Sequence, residues 1–102
     1  MNQALDGIRV LEIASYVTGP FAAMLLADLG AEVIKVEQPK QGDPFRGWGE
    51  KLYSGTFCSL NRNKKSVTLD LRRDEGRDIV LQLAARSDIL IENFRPGTME
   101  RW

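Results

Sequence analysis

Two strand–helix–strand passages constrain the fold of this chain more than any other feature. The first runs from the apolar segment 8–14 (IRVLEIA) through a turn and a helical stretch to 32–37 (EVIKVE). The second runs from 66–71 (SVTLDL) to 88–93 (DILIEN). Apolar strands that alternate with helical stretches are typical of a parallel sheet covered by helices. The pattern predicts an α/β fold with an open, mostly parallel sheet built from right-handed βαβ units.

Both helices have recognisable boundary and core residues. In the first passage Thr18 or Gly19 is the predicted N-cap, with Pro20 at the first helical position and Gly30 at the end. The predicted inner face of this helix repeats every four residues, at Phe21, Leu25 and Leu29, with Ala22 and Leu26 beside them. In the second passage Asp74 is the predicted N-cap. The inner face of that helix carries Ile79, Val80, Leu83 and Ala84.

A long connection, 38–55, joins the two passages and is rich in glycine and proline near its start. Loops of this length in compact domains are usually functional or poorly ordered. Within it, Asp43 and Arg46 are close enough in sequence to pair across a turn. Beyond it, Cys58 lies in the apolar run TFCSL, which predicts a buried, unreactive thiol.

Composition excludes several classes of function. A chain of 102 residues is the size of one domain, and its 14 basic and 14 acidic residues sum to zero charge. The absence of histidine excludes His-based triads and His-ligated metals, and a single cysteine excludes an internal disulfide or a multi-Cys zinc site. With no signal peptide or membrane span in the sequence, we expect a soluble cytoplasmic chain with no nucleic-acid or membrane partner and no metal.

Three segments are expected to meet at the carboxyl ends of the strands, where open parallel sheets bind ligands. They are SYVTGP after the first strand, EQP after the second and NFRPG after the last. The helix N-terminus after SYVTGP offers N–H groups to an anion. Glu37 has nearly the spacing of the ribose-binding acid of dinucleotide-binding proteins, but their glycine fingerprint and the P-loop are both missing. Glu37 is therefore interpreted as a solvent-side or loop-anchoring acid.

Basic residues near this crevice have two open interpretations. A cluster lies within 62–73, and Arg95 and Arg101 follow the last strand. Such a group suits the phosphates of a small molecule. A solvated basic turn, helix capping, or pairing with Glu92 or Glu100 explains the same residues without a ligand.

Taken together, the motifs resemble one family. LDGIRVLE, TGPFAA, GAEVIKVE, and NRNKKS with IENFRPG occur in the order found at the amino terminus of the class III (CaiB/BaiF, formyl-CoA transferase-like) CoA-transferases. The resemblance covers essentially the whole chain. It implies that residues 1–102 are the amino-terminal part of the Rossmann-like, CoA-binding large domain, truncated before a second domain.

The resemblance also implies an activity. Family members move CoA from an acyl-CoA to a free carboxylic acid: an aspartate attacks the thioester, and an aspartyl-CoA intermediate then forms. Acyl-CoA and carboxylic acid are substrates, no cofactor is bound permanently, and the family forms interlocked homodimers. The family's catalytic aspartate lies downstream of residue 102, so no catalytic residue is predicted here, and Asp70 and Asp88 are not assigned that role.

Carried over by position, the family's CoA contacts fall on several segments of this chain. They are Val17, Thr18, Gln38, Leu69, Asp70, Leu71, Arg72, Asn93, Phe94, Arg95 and Arg101. One departure is that Gln38 replaces a residue that is commonly arginine, and an amide cannot pair ionically with phosphate. Two alternatives stay open: an acyl-CoA racemase of the same superfamily, and a non-catalytic, truncated CoA-binding remnant.

Overall fold

A computed structural model describes residues 2–48 and 54–102. The described residues form a sheet of four strands, β1 (Arg9–Ile13), β2 (Glu32–Glu37), β3 (Lys64–Thr68) and β4 (Ile89–Glu92). The strand order is β3-β2-β1-β4, and each neighbouring pair is parallel. This confirms the predicted α/β class and the open parallel sheet. β2 has the predicted bounds, whereas β3 begins two residues before the predicted segment and ends at Thr68, so that 69–71 lie beyond the strand.

The register brings the carboxyl ends of the strands to one edge. In β1, Leu11 pairs with Ile34 of β2 and with Leu90 of β4. On the outer side, Val36 of β2 pairs with Val67 of β3. The loops that follow all four strands therefore emerge side by side, and this edge carries the candidate site.

Helices cover both faces of the sheet, as a doubly wound fold requires. They are α1 (Thr18–Asp28), α2 (Gly55–Leu60) and α3 (Asp74–Ala85). On one face Val10 and Val33 pack with Ala23 and Ala27 of α1. On the other face the buried strand residues Leu11, Ile13 and Val36 pack with α3 residues: Val80, Leu83 and Ala84. Ile79 of α3 is exposed instead of buried.

The predicted inner face of α1 is wrong except at Leu26, which packs against the core. Phe21, Leu25 and Leu29 are about half exposed, whereas the buried residues of this helix are Gly19, Pro20, Ala23, Met24 and Ala27. Small residues let the helix approach the sheet closely: a Cβ at Gly19 would lie 2.4 Å from Ala14 Cβ. The predicted cap also differs, because Val17 is the N-cap and Pro20 is the third helical residue. In α3, likewise, Arg73 is the N-cap and Asp74 the first helical residue.

The connection 38–55 is structured over most of the part that the structure describes. Pro44–Gly47 form a 3₁₀ turn, and Ser54 caps α2 by accepting the Phe57 N–H at 3.0 Å. Residues 49–53 lie outside the described residues.

The prediction of a buried Cys58 is wrong, since this residue of α2 is exposed. A second 3₁₀ turn, Met99–Arg101, follows β4. Within 2–48 and 54–102, no helix combines the length and apolar character needed to cross a membrane.

Candidate functional site

A cavity of about 570 Å³ opens at the carboxyl edge of the sheet. Its walls come from the ends of β1 and β2 and from the loops after all four strands. The floor is apolar, with Ile13, Val36 and Leu69 all buried. The rim carries the polar and charged residues Ser15, Thr18, Glu37, Gln38, Asp43, Asp70, Arg72, Asn93 and Arg95.

The cavity brings together every predicted CoA-contact residue except Arg101. Lining it are Val17, Thr18, Gln38, Leu69, Asp70, Leu71, Arg72, Asn93, Phe94 and Arg95. Arg101 lies on the neighbouring 3₁₀ turn, where its guanidinium donates to Thr98 Oγ1 at 3.2 Å. Trp102, which the sequence did not single out, lines the cavity and packs edge-on against Phe94, with ring centroids 5.1 Å apart.

The Asn93 side chain faces the turn after β1. Its Oδ1 accepts the Ser15 N–H at 3.1 Å, and its Nδ2 donates to the Ser15 carbonyl at 2.7 Å and to Thr18 Oγ1 at 3.1 Å. Both amide hydrogens are therefore engaged within the protein. Asn93 ties the end of β4 to the start of α1.

On the other side of this turn, Tyr16 adopts a left-handed backbone with φ of +65°. Its N–H donates to Asp43 Oδ1 at 3.2 Å, and the same oxygen accepts the Phe45 N–H at 2.9 Å. The other oxygen of Asp43 lies 2.9 Å from Lys35 Nζ in an ion pair with almost no solvent exposure. The predicted Asp43–Arg46 pairing is limited to the backbone, where the Arg46 N–H donates to the Asp43 carbonyl at 2.9 Å, and the Arg46 guanidinium pairs with Glu37.

A buried network of charges connects three of the four strands, β1, β2 and β3, beneath α1. Lys35 Nζ lies 2.6 Å from Glu12 Oε2 and donates to the Ala14 carbonyl at 3.1 Å. Lys64 Nζ lies 2.6 Å from the other oxygen of Glu12. Burial lowers the pKa of Lys64, although its ion pair with Glu12 acts in the opposite direction. Sequence reasoning missed this network; its signal is a charged residue, Glu12 or Lys35, inside each of two apolar strands.

Glu37 is a loop-anchoring acid, one of the two roles that the sequence left open. Its carboxylate accepts two hydrogen bonds from the Arg46 guanidinium, at 2.7 and 2.8 Å, one from Ser66 Oγ, and one from the Asp43 N–H. Burial acts to raise the pKa of Glu37, but these four donors outweigh it and lower the pKa to about 2. The carboxylate thus stays ionised and fixes the 38–48 loop to β2 and β3.

Arg72, an exposed arginine on the cavity rim, pairs with Asp70. Its Nε lies 3.1 Å from Asp70 Oδ1, and its side chain is 80% exposed. The hydrogen bond from Arg72 lowers the pKa of Asp70. Arg95 lies on the opposite rim and is exposed. Two guanidinium groups and the N-terminus of α1 face one cavity, an arrangement that suits an anionic ligand with several phosphates.

Gln38 uses its amide within its own loop. Its Nε2 donates to the Gly42 carbonyl at 3.2 Å, which closes the turn between them. Gly42 has a φ of +66°, and a Cβ there would lie 2.8 Å from Glu37 Oε1, so this position favours glycine. The cavity therefore has a neutral amide at position 38.

Fold and site together define a doubly wound α/β protein with a crevice at the strand ends whose lining includes Arg72 and Arg95. The sequence matches the CoA-transferase family III over residues 5–102. The chain belongs to this family.

Relatives and solved structures agree with that assignment. The chain is 54% identical to the succinyl-CoA–D-citramalate CoA-transferase of Chloroflexus aurantiacus, over 96% of this chain and 25% of the relative. It is 52% identical to the succinyl-CoA–L-malate CoA-transferase alpha subunit of the same organism, over 96% of this chain and 24% of the relative. It superimposes on the crystal structure of a CaiB/BaiF family protein from Brucella suis with a TM-score of 0.93 and 42% identity, covering 99% of this chain and 28% of that one. The chain thus spans about a quarter of the length of the relatives it matches.

Proposed function

We propose that the cavity binds the CoA portion of an acyl-CoA, and that the protein transfers CoA from an acyl-CoA to a free carboxylic acid. The observation that carries this proposal is that the cavity gathers all the predicted CoA contacts but one in a member of CoA-transferase family III. In this proposal residues 1–102 are the amino-terminal part of the CoA-binding domain. CoA is then a substrate and no permanent cofactor is required.

The chemistry of the rim supports CoA as the ligand. The guanidinium groups of Arg72 and Arg95 are placed to bind phosphates through charge-assisted hydrogen bonds. The backbone of 69–71 and the ring of Phe94 offer an apolar surface of the kind that a purine base stacks on. In this arrangement Asn93 affects CoA binding through the turn at Ser15, whose backbone it holds.

We also propose a short dicarboxylic acyl donor such as succinyl-CoA. Its support is that the relatives above, at 54% and 52% identity, are named for succinyl-CoA and differ in the acid named second, D-citramalate or L-malate. Both named acids are small hydroxylated dicarboxylates. A panel of such acids is therefore the first set to test as acceptors.

The proposed mechanism uses an aspartate nucleophile outside residues 1–102. Its carboxylate attacks the thioester carbonyl, which gives a mixed anhydride and releases CoA thiolate. The thiolate attacks the aspartyl carbonyl and frees the donor acid, and the acceptor carboxylate then reverses these two steps. Asp70 and Asp88 are engaged elsewhere: Asp70 pairs with Arg72, and Asp88 accepts the Arg9 N–H at 2.9 Å at the opposite end of the sheet.

An interlocked homodimer in the cytoplasm completes the proposal. Its structural support is the exposed apolar stripe formed by Phe21 and Leu25 of α1 and by its C-cap, Leu29. A stripe of this kind is a surface that a second chain buries.

Calorimetric titration with CoA tests the binding proposal. Arg72→Ala should weaken CoA binding about five- to tenfold, because one charge-assisted phosphate contact is lost from an exposed position. Arg73→Ala is the matched control: it removes the same charge from the adjacent residue, which does not line the cavity. Equal loss in both variants would attribute the effect to net charge and contradict the proposed site.

Mass spectrometry of reaction mixtures tests the activity. Succinyl-CoA is incubated with the protein and each acid of the panel, and new acyl-CoA species are measured. Interconversion of the two epimers of a 2-methylacyl-CoA, without exchange of the acid, would instead support the racemase alternative. CoA binding without either reaction would support the non-catalytic alternative.

A further inference from the structure

The turn between β1 and α1 is held by side chains from both of its flanks. On the β2 side, Lys35 Nζ binds the Ala14 carbonyl at 3.1 Å and Asp43 Oδ1 accepts the Tyr16 N–H at 3.2 Å. On the β4 side, the Asn93 amide binds both the N–H and the carbonyl of Ser15, at 3.1 and 2.7 Å. Four backbone groups of three successive residues are thus bound by three side chains that are distant in sequence.

This arrangement replaces what glycine does in many phosphate-binding turns. Such turns use glycine where the backbone needs a positive φ or a close approach to the ligand. Here Tyr16 has a φ of +65°, in a region that disfavours residues with a Cβ. The turn therefore needs support from its surroundings to keep this shape.

The supporting groups are themselves fixed. The side chains of Lys35 and Asp43 are 2% and 1% exposed, and Lys35 is also paired with Glu12. Asn93 donates its remaining amide hydrogen to Thr18 Oγ1 at 3.1 Å. Neither Asp43 nor Asn93 has freedom to rotate without losing two or more contacts.

We propose that Asp43 and Asn93 are positioning residues that hold the Ala14–Tyr16 turn in the shape that presents the start of α1 to the ligand. The consequence for CoA affinity rests on the function proposed above. The shape of the turn itself does not, so the two can be tested separately. Neither residue is a catalytic residue here, because both act through the backbone of the turn.

Hydrogen–deuterium exchange at residue resolution, without ligand, tests the positioning role. In Asn93→Ala, exchange of the Ser15 N–H should accelerate about tenfold, since its acceptor is removed. In Asp43→Asn the single amide oxygen must serve three donors: the Lys35 ammonium and the Tyr16 and Phe45 N–H groups. The Lys35 ammonium takes it, because bonds to charged groups are stronger, and exchange at Tyr16 should rise by a similar factor. Exchange at Leu11, in the middle of β1, serves as the internal reference.

Matched variants at position 16 separate the shape of the turn from general destabilisation, because they differ only in their tolerance of a positive φ. The quantity measured is CoA affinity. In the Asn93→Ala background, Tyr16→Gly and Tyr16→Ala remove the same ring, but only glycine accepts the positive φ without cost. CoA affinity should be about fivefold higher with glycine than with alanine. Gln82→Ala, which removes an exposed amide on α3, is the control and should leave affinity unchanged.

The outcomes separate the two proposals. Unchanged exchange at Ser15 and Tyr16, or acceleration that is equal at Leu11, would overturn the positioning role. Equal affinities of the glycine and alanine variants would overturn it as well. If exchange changes as expected but no variant, including the parent protein, binds CoA, the turn is held as we propose and the assigned ligand is wrong.

Discussion

Lys35 Nζ lies 2.6 Å from Glu12 Oε2 in the middle of the parallel sheet, and both side chains are almost completely buried. Asp43 and Lys64 complete the group, at 2.9 Å from Lys35 and 2.6 Å from Glu12. Two positive and two negative charges balance in a region that water does not reach. A buried charge is tolerated only when it is paired and hydrogen-bonded, so each member depends on the others.

Removing one member should therefore destabilise the fold strongly. We expect Lys35→Met to lower the free energy of unfolding by about 3–5 kcal/mol, because it leaves Glu12 and Asp43 short of a partner. Denaturant titration measures this change. Lys65→Met is the control, since the Lys65–Glu32 pair is exposed at 73% and 35% and should contribute far less to stability than the buried pair. Similar losses in both variants would show that the burial of the network is unimportant.

Gly76 should be intolerant of any side chain. A Cβ at this position in α3 would lie 2.0 Å from the carbonyl oxygen of Asp70, which is backbone and cannot rotate away. We expect Gly76→Ala to reduce the free energy of unfolding by about 1–3 kcal/mol and to displace the loop that carries Arg72. Thermal unfolding measures the first effect and CoA titration the second.

Gly55→Ala is the matched control for this substitution. Gly55 begins α2, and nothing lies within 4 Å of a Cβ built on it. Alanine should therefore be neutral or slightly stabilising there, because it favours the helix more than glycine does. Destabilisation of equal size at both positions would contradict the steric explanation.

The parallel sheet and the crevice at its carboxyl edge were accessible from the sequence because they follow from strong local patterns. Apolar runs gave β2 with its observed bounds, and the rule that parallel strands bind ligands at their carboxyl ends brought Val17, Gln38 and Asn93 to one edge. The family resemblance then assigned a ligand that composition alone does not indicate.

The features that were missed depend on distances that only the folded chain defines. The periodicity of α1 does not distinguish the helix face with Leu25 from the face with Ala23 as the one that packs on the sheet. The face with Ala23 is buried because a small side chain allows α1 to lie close to β1. In the same way, Lys35 is a charged residue in an apolar strand until Asp43, eight positions later, folds back onto it. Such pairings arise from tertiary contacts and leave no local periodicity.

The exposed Cys58 should react in the native protein. We expect one thiol per chain to be modified by a thiol reagent without denaturant, because the residue lies on the exposed side of α2. Cys58→Ser should change the free energy of unfolding by less than about 0.5 kcal/mol, as for other exposed substitutions. Modification that requires unfolding would mean that α2 is covered in solution.

Glu37 should make the protein sensitive to acid over a defined pH range. Its pKa is about 2 in the folded state and about 4.5 without these contacts, because donors from Arg46 and Ser66 outweigh its burial. The unfolded chain therefore takes up this proton first as the pH falls. The contribution of Glu37 to stability, about 3 kcal/mol, is complete above about pH 5 and is lost as the pH falls from 4.5 to 2. Unfolding titrations across this range should show a smaller acid-dependent loss in Glu37→Gln than in the parent protein. Glu75→Gln, which alters a carboxylate that is 79% exposed, should keep the parent profile. An unchanged acid limb in Glu37→Gln would mean that other carboxylates, and not this loop anchor, govern stability at low pH.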